Sequence, residues 1–386
     1  MLQTAVFILL LCYALACAWL CWQWWKIPVR PVSIQSLPAN FRLSVVIPVR
    51  NEAAHIGALL EDLVKQTLPK HAFEVIVVND ASTDDTVQIV RHFQRRNNLH
   101  LTLIDLPEIA HTSPKKRAIT EALQVASGLL IVTTDGDCRV GEEWLASIAH
   151  TYLQTGAKLI SGPVVLDGNG SNEPLSVIDW VFRWFQTIEF SSLIGTGACL
   201  LEAGTPTMCN GANLAYERAA FEAVGGYAGV EHLASGDDEF LLQKIAQRFP
   251  GQIYFLKNGK AVVSTQPQPS WRLFYRQRVR WASKWAVNRR VATMLAAVFV
   301  FLVNVVTLGL FFAFIFRDVA EPSLVLLMLL KCGPEFVFLA LMMQFFRKKT
   351  LIFAIPLIQI VYPLYVLFFG LAAQQKGYEW KGRRLK

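Results

Sequence analysis

The sequence predicts an α/β domain with a mostly parallel sheet, carried between transmembrane helices at both ends of the chain. Three observations predict it. Between residues 43 and 133, short apolar runs alternate with amphipathic segments, the pattern of strands joined by crossover helices. Hydrophobic residues fill 53% of the 386 positions and charged ones 17%, too apolar a balance for an ordinary soluble domain. The excess is gathered in one stretch at the start and three near the end, each long enough to cross a hydrocarbon core.

The α/β region opens with LSVVIP at 43–48, a buried strand, followed by a helix over 53–66 with Ile56, Leu59, Leu60 and Leu63 on one face. A second strand is predicted at 73–78, a helix at 86–94, a strand at 101–105, a helix at 115–126 and a fourth strand at 129–133. Strands and helices in this alternation form a parallel sheet wound by right-handed crossovers. Ligands on such sheets bind beyond the carboxyl ends of the strands.

Residues 2–25 carry no charge and read as a membrane helix. A cleaved signal is disfavoured because the segment lacks a basic start, and Cys17 after Ala16 makes only a faint lipoprotein site. Trp22, Trp24 and Trp25, followed by Lys26 and Arg30, form an interface belt on the cytosolic side and put the N-terminus outside. The later stretches are 291–316, with Asn304 its most polar side chain; 323–346, interrupted by Lys331, Gly333, Pro334 and Glu335; and 351–373, with Pro356 and Pro363. Arg347, Lys348 and Lys349 argue for a cytosolic loop, yet the tail with Lys376, Lys381, Arg383, Arg384 and Lys386 argues for the same side. Three full spans cannot satisfy both. Either 323–346 is broken or re-entrant, with Lys331 and Glu335 facing protein, or the tail lies outside despite its charge.

The chain therefore divides into a membrane helix (1–25), a linker (26–42), the α/β domain (43–265), an aromatic and basic region (266–290), two or three C-terminal spans (291–373) and a basic tail (374–386). The net charge of +8 is explained by Lys and Arg flanking the spans. No nucleic-acid-binding signature accompanies it, so nucleic acid is excluded as a partner. The seven cysteines are odd in number and lack CxxC spacing, which excludes a disulfide framework or a zinc site and suits a reducing compartment.

Three strand ends are acidic: Pro48-Val49-Arg50-Asn51-Glu52, the run from Asn79 and Asp80 to Asp84, and Asp135-Gly136-Asp137. On neighbouring parallel strands these carboxylates collect on one rim, where they repel unless a cation or ligand donors compensate. Asp135 and Asp137 can approach one divalent ion, and hard oxygens suit Mg²⁺ or Mn²⁺.

SVVIPVRNE, VVNDASTDDT, TTDGDC, SGDDEF and QRVRW stand in the order and approximate spacing of a family 2 glycosyltransferase. The chain resembles most the membrane-bound group that includes cellulose, hyaluronan and poly-N-acetylglucosamine synthases and ceramide glucosyltransferases. The resemblance covers about residues 43–285 and implies a GT-A fold, a nucleotide-sugar-binding domain joined to an acceptor-binding half. It implies that Pro48 and Glu52 line the nucleoside pocket and that Asp80 reads a uracil ring. Asn79 replaces the family's first Asp. Lys115 would approach the donor phosphates, with Thr120 where the family has Asn. Asp135 would contact the donor and Asp137 the metal. Gly211 allows close backbone approach, and Asn213 would help shape the sugar pocket. Asp238 matches the general base, with Asp237 in place of the usual Glu beside it and Glu239 as a rival for the role. A partly desolvated Asp238 beside Asp237 would have a raised pKa.

Gln277, Arg280 and Trp281 match QxxRW and share one helical face. Gln277 and Arg280 would hold the donor's diphosphate, and Trp281 would offer a flat surface to an acceptor sugar. Trp271, Phe274, Tyr275, Arg276, Arg278, Trp281 and Trp285 also read as an amphipathic interfacial helix, and residues 177–190 read similarly, as a guide for a lipid acceptor. The implied reaction is an inverting single displacement from a nucleotide-sugar, a UDP-sugar by the resemblance, to a lipid-linked or polysaccharide acceptor. It would take place on the cytosolic face of a membrane, the bacterial inner membrane by the type of relative. Processive polymer synthesis, nucleotidyl transfer and an inactive membrane scaffold remain as alternatives.

Overall fold

The computed structural model of the chain describes residues 2–31, 37–109, 113–168, 176–231, 233, 235–282, 291–316, 322–372, 378–380 and 383–385. Trp285 and the tail lysines Lys376, Lys381 and Lys386 lie outside the described residues. The chain divides into two compact units: Ile27–Asn172 with Gly197–Pro267 and Glu379–Lys386, and Met1–Lys26 with Glu173–Thr196 and Gln268–Tyr378.

The first unit is built on a seven-stranded sheet. After the N-terminal helix α1 (Leu2–Lys26), the chain forms β1 (Leu43–Val49), α2 (Ile56–Val64), β2 (Phe73–Asp80), α3 (Thr86–Arg96), β3 (Leu101–Leu106), α4 (Pro114–Val125) and β4 (Leu130–Thr133). All four expected strands are present and parallel, in the order β3-β2-β1-β4. Their continuous apolar runs follow from burial on both faces. Val46, Ile76, Val78 and Ile131 pack against Ala118, Ile119 and Ala122 of α4 in one core cluster. Helix α2 starts at Ile56 rather than 53. The amides before it are used elsewhere: Glu52 N–H donates to Thr86 Oγ1 (2.8 Å) and Ala53 N–H to Asp84 Oδ2 (3.0 Å).

The chain continues through β5 (Arg139–Val140), α5 (Trp144–Thr155), β6 (Leu159–Ser161), β7 (Val164–Leu166) and α6 (Val177–Glu202), then β8 (Leu214–Glu217), α7 (Arg218–Ala223), α8 (Asp237–Arg248), β9 (Ile253–Phe255) and β10 (Val263–Thr265). The sheet extends from β4 through β8 and β6 to β9, with β8 antiparallel to both neighbours. The sheet is thus mostly parallel, as expected. β5, β10 and β7 form a separate three-stranded sheet.

The other unit holds α1, part of α6, α9 (Trp271–Ala282), α10 (Val291–Phe316), α11 (Pro322–Phe345) and α12 (Ile355–Ala372). Short strands β11 (Tyr378–Trp380) and β12 (Arg383–Leu385) follow. Among the described residues, four helical segments are long and apolar enough to cross a membrane: Gln3–Lys26, Thr293–Phe316, Pro322–Phe345 and Lys349–Ala372. The helix expected to be interrupted over 323–346 is continuous: α11 runs through Pro334 for 24 residues, about 36 Å of helix at 1.5 Å per residue. Its polar residues do face protein. Lys331 Nζ donates to Glu335 Oε2 (2.6 Å), which also accepts from Gln359 Nε2 (2.8 Å), while Tyr13 O–H donates to Glu335 Oε1 (3.0 Å). Asn304 turns its amide back to the carbonyl of Val300 (2.8 Å).

One buried carboxylate ties the sheet together. Glu74 Oε1 accepts from Ser44 Oγ (2.6 Å) and from the N–H and hydroxyl of Ser127 (2.6 and 2.8 Å). Burial works to raise its pKa, but these donors, with Arg42, outweigh it and hold the group below its ordinary value. A depressed carboxylate stabilises the fold above its unfolded-state pKa, about 4.3, and that contribution is lost as pH falls through the folded value. Thermal unfolding in nanodiscs at pH 7 and pH 4 should therefore show a larger fall for the wild type than for Glu74→Gln. An equal fall in both would count against it.

Candidate functional site

The site in the α/β unit is assembled from strand ends and one helix start. Asp80 closes β2 and is buried, as is Arg50 just beyond β1. Arg50 Nη1 donates to the carbonyls of Asp80 (2.7 Å) and Ala81 (3.1 Å) and stands 3.8 Å from Asp80 Oδ2. Asn51 and Ala81 both have positive φ, 54° and 51°, and Asn51 Oδ1 accepts from Thr83 N–H (2.8 Å), so the two loops are latched together. Asn79, the departure from the family pattern, donates its amide to Asp105 Oδ1 (2.6 Å) and accepts from Ser82 N–H (3.1 Å). An aspartate there would oppose the Asp105 carboxylate. Pro48 lies within β1, beside Val78 of β2.

Asp135, Gly136 and Asp137 follow β4. A Cβ on Gly136 would come 2.9 Å from Val49 Cγ1 and 3.0 Å from Glu52 Cγ, so the loop lies directly against the Glu52 loop. Asp135, Asp137 and Cys138 bring ligand atoms within 4.8 Å of one another. Burial, then Asp137 and Asp135, raise the Cys138 thiol well above its ordinary value, which leaves the two carboxylates as the ligands a hard cation would take. Asp137 Oδ2 also accepts from Thr265 Oγ1 (3.1 Å).

Lys115, in the first turn of α4, joins these carboxylates to the acidic start of α8. Its Nζ donates to Asp135 Oδ1 at 2.7 Å and lies 3.4 Å from Asp237 Oδ2. Burial disfavours its charge, but Asp135, Asp237 and Asp238 outweigh that and raise its pKa. Asp238 Oδ2 accepts the Gly211 N–H (3.1 Å) and Oδ1 the Glu239 N–H (2.8 Å). A Cβ on Gly211 would come 3.0 Å from Lys115 Nζ and 3.1 Å from Asp237 Oδ2, the close approach expected of that glycine. Carboxylates in the first turn of α8 also meet the positive end of the helix dipole.

The next residue, Lys116, supports this arrangement and was not legible as a site residue. It is buried, and Nζ donates to the carbonyls of Val230, Leu233 and Ser235 (2.8, 2.6 and 3.1 Å), anchoring the segment that delivers Asp237. Arg50 and Thr265 were missed for the same reason: their partners lie far away in sequence. Asn213 is not at the surface of the site. It is 1% exposed, accepts from Trp144 Nε1 (3.0 Å), and donates to the carbonyls of Pro163 and Ala261 (2.9 Å each). These three side-chain bonds go to protein, so whatever Asn213 does to shape a sugar pocket it does from beneath the surface.

Gln277, Arg280 and Trp281 lie on α9 in the other unit, all half-buried. Among the described residues, the Trp281 ring lies 5.9 Å from the Phe190 ring and 4.2 Å from the guanidinium of Arg278. Trp271 stacks on Phe182 at 4.0 Å, and Val177, Ile178, Trp271 and Leu273 are exposed.

Residues 44–225 match the model of glycosyl transferase family 2. Glycosyltransferase AglE of Haloferax volcanii is 34% identical over 123 residues, 32% of this chain and 39% of AglE. The dodecaprenyl-phosphate galacturonate synthase of Rhizobium johnstonii is 33% identical over 113 residues, 28% of this chain and 31% of the relative. This chain thus spans less than half the length of either curated relative. Among solved structures, the mannosyltransferase PcManGT of Pyrobaculum calidifontis, in complex with GDP-Man and Mn²⁺, superimposes with TM-score 0.54 at 21% identity, over 94% of this chain and 97% of that one. That likeness is one of fold.

Because Asn213 serves three buried protein bonds, Asn213→Ala should cost about 2–4 kcal/mol of stability and leave donor affinity intact in the folded fraction. Thermal unfolding and donor titration check this. Wild-type stability with lost donor binding would instead assign Asn213 a direct pocket role.

Proposed function

We propose, for a chain that carries a glycosyl transferase family 2 domain over residues 44–225, that it is a membrane-bound inverting glycosyltransferase using a nucleotide-sugar donor and a lipid-linked acceptor. The observation that carries this reading is the joining of Asp135 and Asp237 through Lys115, with Asp238 alongside. A donor-phosphate cation, a donor-side carboxylate and a base candidate thereby stand on one rim.

Asp238 takes the proton from the acceptor hydroxyl as its oxygen attacks C1 of the sugar. The bond from C1 to the phosphate oxygen breaks on the opposite face, and the nucleoside diphosphate leaves with the electron pair. Asp237 holds Lys115 beside the base, and Lys115 faces the donor phosphates. Pro48, Glu52 and Asp80 bind the nucleoside, and the motif at Asp80 favours uracil. Asp135 and Asp137 fit a divalent ion, Mg²⁺ or Mn²⁺, which when bound supplies positive charge to the leaving diphosphate. By their match to QxxRW, Gln277 and Arg280 are given to the donor and Trp281 to the acceptor.

A lipid-linked acceptor is favoured because four helical segments are able to cross a membrane and the Rhizobium relative is named for dodecaprenyl phosphate. The belt of Trp22, Trp24, Trp25, Lys26 and Arg30 supports a cytosolic face for the catalytic domain, and a bacterial inner membrane fits the reading.

Purified protein in nanodiscs, given a panel of UDP-sugars and membrane lipid extract, should release UDP only when a divalent ion is present. Labelled sugar should move to the organic phase. Asp238→Asn should lower turnover roughly 10²–10⁴-fold with donor binding kept. Near-normal turnover in that variant would refute the base. Product of high molecular weight would indicate polymer synthesis, and release of pyrophosphate would indicate nucleotidyl transfer.

A further inference from the structure

The QxxRW segment contains an arginine that its motif leaves unassigned. Arg278 is 4% exposed, and its partner Glu189 on α6 is also 4% exposed. Arg278 Nη2 donates to Glu189 Oε2, and Glu189 Oε1 accepts from Tyr365 O–H of α12 (3.0 Å). The guanidinium packs between two rings of its own helix, 4.6 Å from Phe274 and 4.2 Å from Trp281. Its Nη1 also donates to Gln277 Oε1 at 3.4 Å. One buried cation therefore touches two of the three motif residues and binds their helix to two others.

Stability is a weak reason for such a pair. Withdrawing both charges from water costs so much that well-packed neutral replacements are often as stable. Geometry supplies a better one. A helix turns about 100° per residue, so Arg280 stands about 160° round from Arg278. With Arg278 fixed inward against Glu189, Arg280 is turned to the far side of α9, and the Trp281 ring is braced by the guanidinium.

We propose that Glu189 and Arg278, steadied by Tyr365, are positioning residues that set the rotation of α9 and hence the stance of Gln277, Arg280 and Trp281. This rests on the glycosyltransferase reading above for the use to which those three are put. The pair itself meets neither donor nor acceptor.

The test compares wild type, Glu189→Gln/Arg278→Met, Tyr365→Phe and Arg280→Ala, all full-length in nanodiscs. Removing both charges together avoids leaving one buried alone, so the double variant should keep a thermal midpoint near that of the wild type. Hydrogen exchange over 271–282 should nonetheless speed up in it. With UDP-glucose and UDP-N-acetylglucosamine as donors, kcat should fall roughly 10–100-fold with donor KM little changed. Tyr365→Phe, which keeps the ion pair, should show the same split more mildly. Wild-type exchange across α9, or wild-type kcat in both the double variant and Tyr365→Phe, would overturn the proposal. Full activity in Arg280→Ala would instead refute the role given to the motif, and the exchange measurement would still decide whether the pair orders α9.

Discussion

Negative charge crowded on one sheet rim is the constraint on which the α/β unit turns. Asp135, Asp237 and Asp238 are gathered at one place, where like charges repel unless a cation stands among them. Lys115 is that cation, 2.7 Å from Asp135 and 3.4 Å from Asp237. The requirement reaches well beyond the four side chains. Helix α4 must start where Lys115 can reach both strand end and helix start, and Pro114 at its first turn suits that start. Because a helix rotates about 100° per residue, the adjacent Lys116 faces elsewhere and is free to hold the carbonyls of Val230, Leu233 and Ser235. Two neighbouring lysines thus fix the acidic start of α8, one by charge and one by backbone.

The side of the rim formed by the ends of β1 and β2 is held by a different device. Backbone carbonyls of Asp80 and Ala81 are gathered by the Arg50 guanidinium, and Asp84 takes the amides of Ala53 and Thr86 (3.0 and 3.1 Å). Loops after β1 and β2 are therefore cross-linked to each other by side chains from both. Asn79 fits this arrangement because it donates to Asp105 while accepting from Ser82, two roles that a carboxylate cannot combine.

What the sequence made legible was whatever is local. The four parallel strands were readable because their burial on both faces writes a continuous apolar run, and their acidic ends because they follow immediately. Lys115 was readable through its neighbours in SPKKRAITEAL. The bracing bonds of Asn213 were not readable, because its partners Trp144, Pro163 and Ala261 lie 48 to 69 residues away, and nothing in a short motif distinguishes a residue lining a pocket from one bracing it. Lys116, Arg50 and Thr265 escaped notice for the same reason. The unbroken α11 was hidden by Pro334 and two charges, which read as interruptions until their partners on other helices are known.

Those two charges obey the rule that governs the rim, inside an apolar helix long enough to cross a membrane. Lys331 is 1% exposed, and a charge inside an apolar helix is tolerated only when it faces protein and is paired. Glu335 meets that demand with three donors from three helices: Lys331 on its own, Tyr13 on α1 and Gln359 on α12. Gln359 donates to the carbonyl of Cys332 as well (2.8 Å), which binds α12 to α11 just before Pro334. Hydrocarbon offers no hydrophobic drive to bring helices together. A carboxylate that needs donors from several helices does, and it also specifies which faces meet. The residues that made this segment look unfit to span a membrane are therefore those that bind it to its neighbours.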